Sequence, residues 1–173
     1  MRNDVKCMSL LTGRSSVRVF DERPVESNSI TQLLQAAMQA PSARNQQPWH
    51  FLVVKNRAKL DALALVSQGA RHLYGAPCAI IPCIQEGITK MPHTRPLDVS
   101  AATQNILLSA HEQGLGAVWV CVFPLAYRME AVREILNIPA DLTPFAMIPI
   151  GYPKHPTPPP PLRYDEAKVT VIP

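Results

Sequence analysis

The sequence predicts one layered α/β domain. Segments with helical periodicity alternate along the chain with short apolar runs of strand length, a pattern typical of a sheet covered by helices. The chain has 173 residues, the size of a single domain. At this size about 70% of the unfolded surface can be buried without disulfide or zinc support. Apolar residues make up 47% and charged residues 17% of the chain, which excludes a disordered protein.

The first third of the domain predicts a helix, a strand and a second helix. Ser29-Ile30-Thr31-Gln32 has the form of a capping box. Apolar residues follow it at helical spacing until Pro41, so an amphipathic helix is expected between them. The apolar run from Trp49 to Val54 is rich in strand-forming residues and predicts a buried strand. Asn56 then caps a short helix that turns Leu60 inward.

The middle of the chain adds two strands and the longest helix. The run from Cys78 to Ile84 predicts a strand in which Pro82 favours an edge position or a bulge. Apolar positions from Val99 to Ala110 mark the longest helix, which Gly114 ends. The run from Ala117 to Phe123 predicts a third strand.

A helix and a strand complete the predicted domain. Apolar positions from Met129 to Leu136 indicate a helix closed by Pro139, and the run from Phe145 to Ile150 indicates a fourth strand. Beyond them the composition changes. We therefore divide the chain into a domain over residues 1–155 and a proline-rich C-terminal arm over residues 156–173.

The C-terminal arm is expected to be stiff. Ten of the 18 prolines lie from Pro139 onward, and Pro158 to Pro161 form an unbroken run. Such a stretch is extended and cannot join the interior of a sheet. A frayed terminus is one interpretation. The composition favours a rigid arm that reaches another surface, such as a partner subunit, because several apolar residues need a surface on which to pack: Leu162, Tyr164, Val169, Val171 and Ile172.

The hydropathy and the charge distribution of the chain limit its possible functions. No apolar window is long enough to span a bilayer and no signal-peptide hydrophobic region is present, so we expect a soluble, cytoplasmic protein. Seventeen Lys and Arg against 13 Asp and Glu give a net charge of +4. The basic residues are spread along the chain with no interleaved aromatic platform, so nucleic-acid binding is not expected. A few arginines placed for one small anionic ligand explain the excess equally well.

Cysteine and glycine patterns exclude several site classes. None of the four cysteines forms a CxxC pair or has a His at zinc spacing, so no metal site is expected. We expect an exposed thiol at Cys7 and small hydrophobic packing residues at Cys78, Cys83 and Cys121. No GxGxxG follows a strand, Gly114-Leu115-Gly116 stands at a helix end, and no GxxxxGK(S/T) loop occurs. The phosphate of a nucleotide-like cofactor must therefore be held by other means.

Two segments carry groups suited to a cofactor. In Arg14-Ser15-Ser16-Val17-Arg18, two arginines with hydroxyls between them suit one phosphate, although an exposed basic turn has the same composition. From Ala40 to Trp49, amide side chains stand between two prolines directly before a strand. That loop suits recognition of a planar heterocycle with an imide edge, and an ordinary helix-to-strand connection is the alternative. No Ser/His/Asp or Cys/His set is recognisable.

The order of these two segments resembles the nitroreductase family of flavoproteins. Arg-x-Ser-x-Arg-x-Phe begins at Arg14, and Ala-Pro-Ser-Ala-x-Asn-x-Gln-Pro-Trp follows at residues 40–49. The resemblance covers nearly the whole chain, because it continues through Gln104–Leu108, Gly114–Trp119, Ile150–Pro153 and Arg163–Asp165.

The resemblance implies an FMN-dependent oxidoreductase that uses NAD(P)H. It implies an α+β fold, a three-layer α-β-α sandwich with a mixed, mostly antiparallel sheet. The alternation of strands and helices alone would suggest a parallel sheet. Two subunits of a homodimer then share the flavin sites, and the C-terminal arm wraps the partner. Nicotinamide passes hydride to flavin N5, and a small organic acceptor (a nitroaromatic, a quinone or similar) then takes its place in a ping-pong cycle. No catalytic acid or base side chain is required.

Site residues are carried over from the family by position. Arg14, Ser15 and Ser16 would hold the FMN phosphate and ribityl chain, and Arg163 would complete the phosphate site. Arg18 would lie near the flavin N1/O2 edge, where a cation stabilises the reduced ring. Ser15 replaces an arginine common in the family motif, which predicts a lower phosphate affinity.

Further positions would lie along the flavin ring. Gln68 would bind the pyrimidine edge, and main-chain groups would approach N5 from Trp119, Val120 and Cys121. The other subunit's flavin would be reached by Pro41, Ser42, Ala43 and Asn45. The segment Gln85–Pro96 is short for the family, which indicates an open site and leaves the acceptor undefined.

Two other functions remain as alternatives. A binding module that retains flavin without turnover differs from the enzyme in whether NAD(P)H bleaches the bound flavin. A nucleic-acid or structural protein would be colourless, and a nucleic-acid protein would bind polyanions in a salt-sensitive way.

Overall fold

Six strands form one sheet between two layers of helices in the computed structural model, which describes residues 2–88 and 90–173 and no side chains before Met8. The strands are β1 (Trp49–Val54), β2 (Cys78–Gln85), β3 (Gly116–Ala117), β4 (Val120–Cys121), β5 (Leu142–Pro144) and β6 (Ala146–Gly151). The helices are α1 (Arg2–Gly13), α2 (Ser27–Met38), α3 (Arg57–Ala64), α4 (Arg95–Glu112) and α5 (Ala126–Leu136). Short 3₁₀ segments span Ala43–Asn45, Gln68–Tyr74, Pro92–Thr94 and Glu166–Lys168.

Every pair of neighbouring strands in the described residues runs antiparallel. β2 lies between β1 and β6, β5 also pairs with β2, and β3 and β4 pair with the other edge of β6. The α+β sandwich implied by the family resemblance is confirmed. The parallel component of the expected mixed sheet does not occur among the described strands.

Side chains along the central strands alternate between the two helical layers. In β2, Ile80 packs in a core with α2 and α4, and its neighbour Ile81 packs in a core with α3 and α5. β6 repeats the alternation with Ile148 and Met147. Because helices cover both faces, these strands have no polar position apart from Gln85 at the end of β2, which is why their sequence resembles that of parallel strands.

Pro82 lies inside the sheet. β2 pairs with β1 over residues 79–84 and with β6 and β5 on its other side, so the edge position predicted for Pro82 is wrong. The alternative, a bulge, is present on the facing chain, where three residues (145–147) stand opposite two residues of β2 (81–82). The Pro82 carbonyl accepts a hydrogen bond from the Phe145 N–H at 2.9 Å, which satisfies the backbone at this point.

The strand predicted from Ala117 to Phe123 is two short strands. The Val17 N–H donates to the Ala117 carbonyl at 3.1 Å. The backbone polar groups of Ala117 therefore point away from β6, and those of Val118 point towards it. The shared register of β3 and β4 places Val118 opposite Pro149, which has no N–H to donate. The ladder is therefore interrupted between β3 and β4.

The helix ends follow the sequence signals in part. Asn56 caps α3 by accepting the Lys59 N–H at 3.0 Å, and Gly114 follows α4 with a left-handed φ of +71°, both as predicted. The capping box is wrong: Ser29 lies inside α2, whose N-cap residue is Glu26. The Tyr152 hydroxyl donates to the Glu26 side chain at 2.6 Å and so holds the start of α2 to the residue that follows β6. The patterns predict neither α1 nor the short β5, and no described helix is long and apolar enough to cross a membrane.

Replacing Gly116 by alanine should destabilise the fold where β3 meets the segment that follows α1. An ideal Cβ at Gly116 would lie 2.5 Å from Cγ1 of the buried Val17. Overpacking of this kind costs about 1–3 kcal/mol of unfolding free energy, measured by urea denaturation. Gly75→Ala is the control, because a Cβ there meets nothing within 4 Å. Equal unfolding free energies for the two variants would contradict this prediction.

Candidate functional site

Two arginine side chains line one small cavity at the end of α1. Arg14 directly follows α1, and the C-terminal arm brings Arg163 to the same cavity, whose volume is about 190 Å³. No carboxylate lines it, and neither guanidinium has an ion-pair or hydrogen-bond partner in the described part of the chain. Two cations without a counter-ion attract an anion, and guanidinium groups suit a phosphate in particular. The remaining lining is Leu11, Thr12, Pro160, Pro161 and Leu162.

The segment that follows α1 is fixed to the sheet. Val17 is buried and its N–H donates to β3, while Arg18 Nη1 donates to the Ser16 carbonyl at 3.4 Å. Ser15 lines a different cavity, of about 410 Å³, beside His111. The cavity that holds both arginines is therefore not lined by Ser15.

Arg18 lies near the 3₁₀ segment that begins at Gln68. Burial and, after it, the positive charge of Arg18 lower the pKa of His72, which belongs to that segment. Arg18 and Gln68 are both exposed. The structure thus places the predicted N1/O2 cation near the segment that carries the predicted amide.

Trp119 and β4 follow β3, whose Ala117 carbonyl accepts the Val17 N–H. Trp119 meets the Phe145 ring edge to face with 5.8 Å between ring centroids, and Val120 is buried. The Cys121 carbonyl accepts a hydrogen bond from Arg128 at 2.9 Å. The Cys121 side chain is exposed, so its expected role in hydrophobic packing is wrong. Successive side chains of β4 point to opposite faces of the sheet, and Val120 takes the buried one.

The loop between α2 and β1 has a left-handed backbone at three positions. Arg44, Asn45 and Gln47 have φ angles of 51°, 52° and 48°. Such angles cost energy for residues other than glycine. The Gln47 N–H donates to Ser42 Oγ at 3.0 Å, which holds the turn. Pro41 and Asn45 are exposed, and Ser42 and Ala43 are half-buried.

A buried amide ties this loop to α4. Gln46 Nε2 donates to Asp98 Oδ2 at 2.7 Å, to the Thr94 hydroxyl at 3.0 Å and to the Met91 carbonyl at 3.1 Å. Gln46 Oε1 accepts the Met91 N–H at 2.9 Å, and Asp98 Oδ1 accepts the Ala43 N–H at 3.0 Å. Nothing in the sequence pattern singles out Asp98, which stands 52 residues from Gln46. Only the fold brings them together.

The predicted residues fall into two groups within the chain. The described hydrogen bonds of the 41–48 loop lead to α4, to the turn before α4, to β2 or back to the loop. None of them reaches the other group, which comprises Arg14, Ser15, Ser16, Arg18, Gln68, Trp119, Val120, Cys121 and Arg163.

A larger cavity, of about 880 Å³, is lined by none of the predicted residues. Its charges are mixed, since Lys55 and Lys154 share it with Asp21 and Glu22. Arg57 also lines it but is held by Asp61 at 2.9 Å and by two backbone carbonyls. This cavity therefore lacks the uncompensated charge of the one between Arg14 and Arg163. In the described part of the chain, His, Cys, Asp and Glu side chains form no cluster of metal ligands.

Comparisons of sequence and of structure relate this chain to the same family of known proteins. The model of the nitroreductase family matches residues 11–152. An Archaeoglobus fulgidus protein with the provisional name NADH dehydrogenase/NAD(P)H nitroreductase is 41% identical over 150 residues, which cover 86% of each chain. A solved structure of that provisional name, from Parabacteroides distasonis, has a TM-score of 0.91 at 37% identity and covers 96% of this chain and 97% of its own. A provisionally named nitroreductase of Desulfovibrio desulfuricans, solved in complex with FMN, has a TM-score of 0.80 at 26% identity over 96% and 97%.

Among the described thiols, Cys121 should react first with an alkylating reagent. Burial raises the pKa of Cys78 to about 11 and that of Cys83 to about 12, so their reactive thiolate forms are scarce at neutral pH. A short iodoacetamide pulse followed by peptide mass mapping should label exposed Cys121, and label the other two only after unfolding. Equal labelling of Cys83 and Cys121 in the native protein would contradict this. Cys7 lies outside the described side chains.

Proposed function

Because the chain belongs to the nitroreductase family, we propose that it is an NAD(P)H-dependent oxidoreductase that binds the FMN phosphate between Arg14 and Arg163. One observation carries the proposal: these two cations line a single cavity, and none of the described residues that line it is a carboxylate. A phosphate dianion would supply the missing charge and accept hydrogen bonds from both guanidinium groups. The donor set therefore fits the cofactor.

The protein's part in the reaction is to hold and orient the cofactor. When bound, FMN accepts hydride from NAD(P)H and passes electrons to an acceptor. Arg18 would supply positive charge at the N1/O2 edge of the ring, and Gln68 an amide for the pyrimidine edge. Main-chain groups of Trp119, Val120 and Cys121 would approach N5, and Ser15 and Ser16 would assist the ribityl chain and phosphate.

The catalytic cycle is proposed to be ping-pong. Nicotinamide and a small organic acceptor, such as a nitroaromatic or a quinone, would use the same place in turn. No side chain has to act as an acid or base, so the residues that matter are those that bind and position. We place this activity in the cytoplasm.

The working unit is proposed to be a homodimer with flavin sites at its interface. The 41–48 loop makes its described hydrogen bonds away from the Arg14–Arg163 cavity, which leaves Pro41, Ser42, Ala43 and Asn45 available to a second subunit. In the arm over residues 156–173, Leu162, Tyr164, Val171 and Ile172 are each at least 80% exposed. Exposed apolar groups at this density mark an interaction surface. We propose that the arm packs on the partner.

The proposed activity is tested by the visible spectrum of the purified protein before and after anaerobic NAD(P)H. Flavin bands that bleach are expected, because the cofactor would take up hydride. Bands that persist would favour the alternative, a flavin-binding module without turnover. A colourless protein that takes up no added FMN would overturn the proposal.

Removing either arginine should weaken FMN binding. Arg14→Ala or Arg163→Ala removes a charge-assisted hydrogen bond, worth about 1.5–3 kcal/mol, so the Kd for FMN should rise about ten- to a hundredfold. Fluorescence titration of FMN-free protein measures it. Arg14→Lys keeps the charge without the planar fork and should fall between wild type and Arg14→Ala.

Lys90→Ala is the matched control, because Lys90 is an exposed cation that does not line the cavity. It should leave the Kd unchanged. Wild-type affinity in Arg14→Ala would show that the phosphate is held elsewhere.

A further inference from the structure

The buried carboxylate of Asp98 holds two donors of the 41–48 loop. Oδ1 accepts the Ala43 N–H at 3.0 Å, and Oδ2 accepts Gln46 Nε2 at 2.7 Å. Asp98 and Gln46 are 6% and 5% exposed, so water does not replace these bonds when they are lost. We call this set of contacts, together with those of Met91, the Asp98–Gln46 tie.

The orientation of the Gln46 amide is fixed by the backbone of Met91. Gln46 Oε1 accepts the Met91 N–H, and Nε2 donates to the Met91 carbonyl. If the amide were turned over, its NH₂ group would face the Met91 N–H, donor against donor. Its oxygen would then face the Met91 carbonyl, acceptor against acceptor. Position 98 must therefore present an acceptor to Gln46 as well as one to Ala43. The two oxygens of aspartate meet both demands, and asparagine, with one oxygen, does not.

The tie spans a strained turn. Left-handed Arg44 and Asn45 lie between Ala43 and Gln46, and left-handed Gln47 follows. Backbone strain of this kind persists only where the surroundings over-determine it. The two bonds to Asp98 hold both ends of the strained pair, and the bond from Gln47 N–H to Ser42 Oγ holds the residues outside it.

We propose that Asp98 and Gln46 are positioning residues of the FMN site. They fix the loop that reaches the partner subunit's flavin, and they join that loop to the turn Met91–Thr94, so that the two move as one unit. The inference rests on the proposed function, since it assigns the tie a role in that site. Neither residue touches the cofactor; Ala43, Asn45 and their neighbours do, in the position that the tie sets.

Reversing one hydrogen bond of the tie tests the proposal. In Asp98→Asn the new amide nitrogen must face either the Ala43 N–H or Gln46 Nε2, and in Gln46→Glu a carboxylate faces Asp98. Each single variant should raise the Kd for FMN about tenfold and shift the visible bands of the bound flavin.

The double variant Asp98→Asn with Gln46→Glu should restore part of the FMN binding that each single variant loses. The amide introduced at position 98 can then donate to the carboxylate introduced at position 46. That carboxylate still accepts the Met91 N–H, and the Met91 carbonyl keeps its hydrogen bond from the Thr94 hydroxyl at 2.9 Å. A Kd between that of wild type and those of the single variants is expected, because a carboxylate oxygen still replaces Nε2 beside the Met91 carbonyl. A loss of general stability would not produce this recovery. Wild-type Kd and spectrum in both single variants would overturn the proposal, as would a double variant weaker than either single one.

A control and a second readout separate this proposal from the proposed function. Asn105→Asp removes a different interhelical bond of α4, from Asn105 to the Ala36 carbonyl at 3.0 Å, and should lower the melting temperature while leaving the Kd for FMN unchanged. If wild-type protein binds no FMN, the proposed function fails. The tie is then judged in the FMN-free protein by hydrogen exchange at the Ala43 amide. Faster exchange in the single variants with recovery in the double variant supports the tie, and uniform exchange overturns it.

Discussion

Burial of the sheet on both faces is the constraint on which the rest of the structure depends. β2 and β6 lie between two helical layers, and their alternating side chains fill two separate cores. With no polar face available, functional groups must sit where strands end and loops begin. The segment that follows α1, the loop before β1 and the end of β4 occupy such places, and each is fixed by a backbone bond to the sheet or a neighbouring helix.

The candidate site combines two positive charges that no carboxylate among the described lining residues balances with a strained loop backbone. Arg14 and Arg163 line one cavity without a carboxylate from the described residues, and the loop after α2 keeps three left-handed residues. Both features cost stability in the chain alone. A bound phosphate would neutralise the first. The second is maintained by Asp98 and Gln46, so the site is organised before a ligand arrives, which reduces the ordering that binding requires.

The separation of the two groups of site residues agrees with a site made by two chains. Hydrogen bonds tie the 41–48 loop to α4 and not to the segment that follows α1. The C-terminal arm has two parts with different surroundings. Its first part brings Arg163 to the cavity that Arg14 lines, and its last residues expose apolar side chains. Proline makes such an arm rigid, so the packing on a partner that we propose would cost little conformational entropy.

Local chemistry by itself determined much of this protein. Hydrophobic periodicity and capping residues such as Asn56 and Gly114 predicted most of the helices and strands. These signals depend only on residues close together in the sequence. Residue order identified the family, and the family resemblance predicts that Arg14 and Arg163 bind one phosphate. Only the tertiary structure decided the pairing: Pro82 sits beside a bulge, Pro149 divides β3 from β4, and Tyr152 bonds to Glu26 at the start of α2. Asp98 belongs with Gln46 across 52 residues. Such partners are set by long-range packing, which no local pattern records.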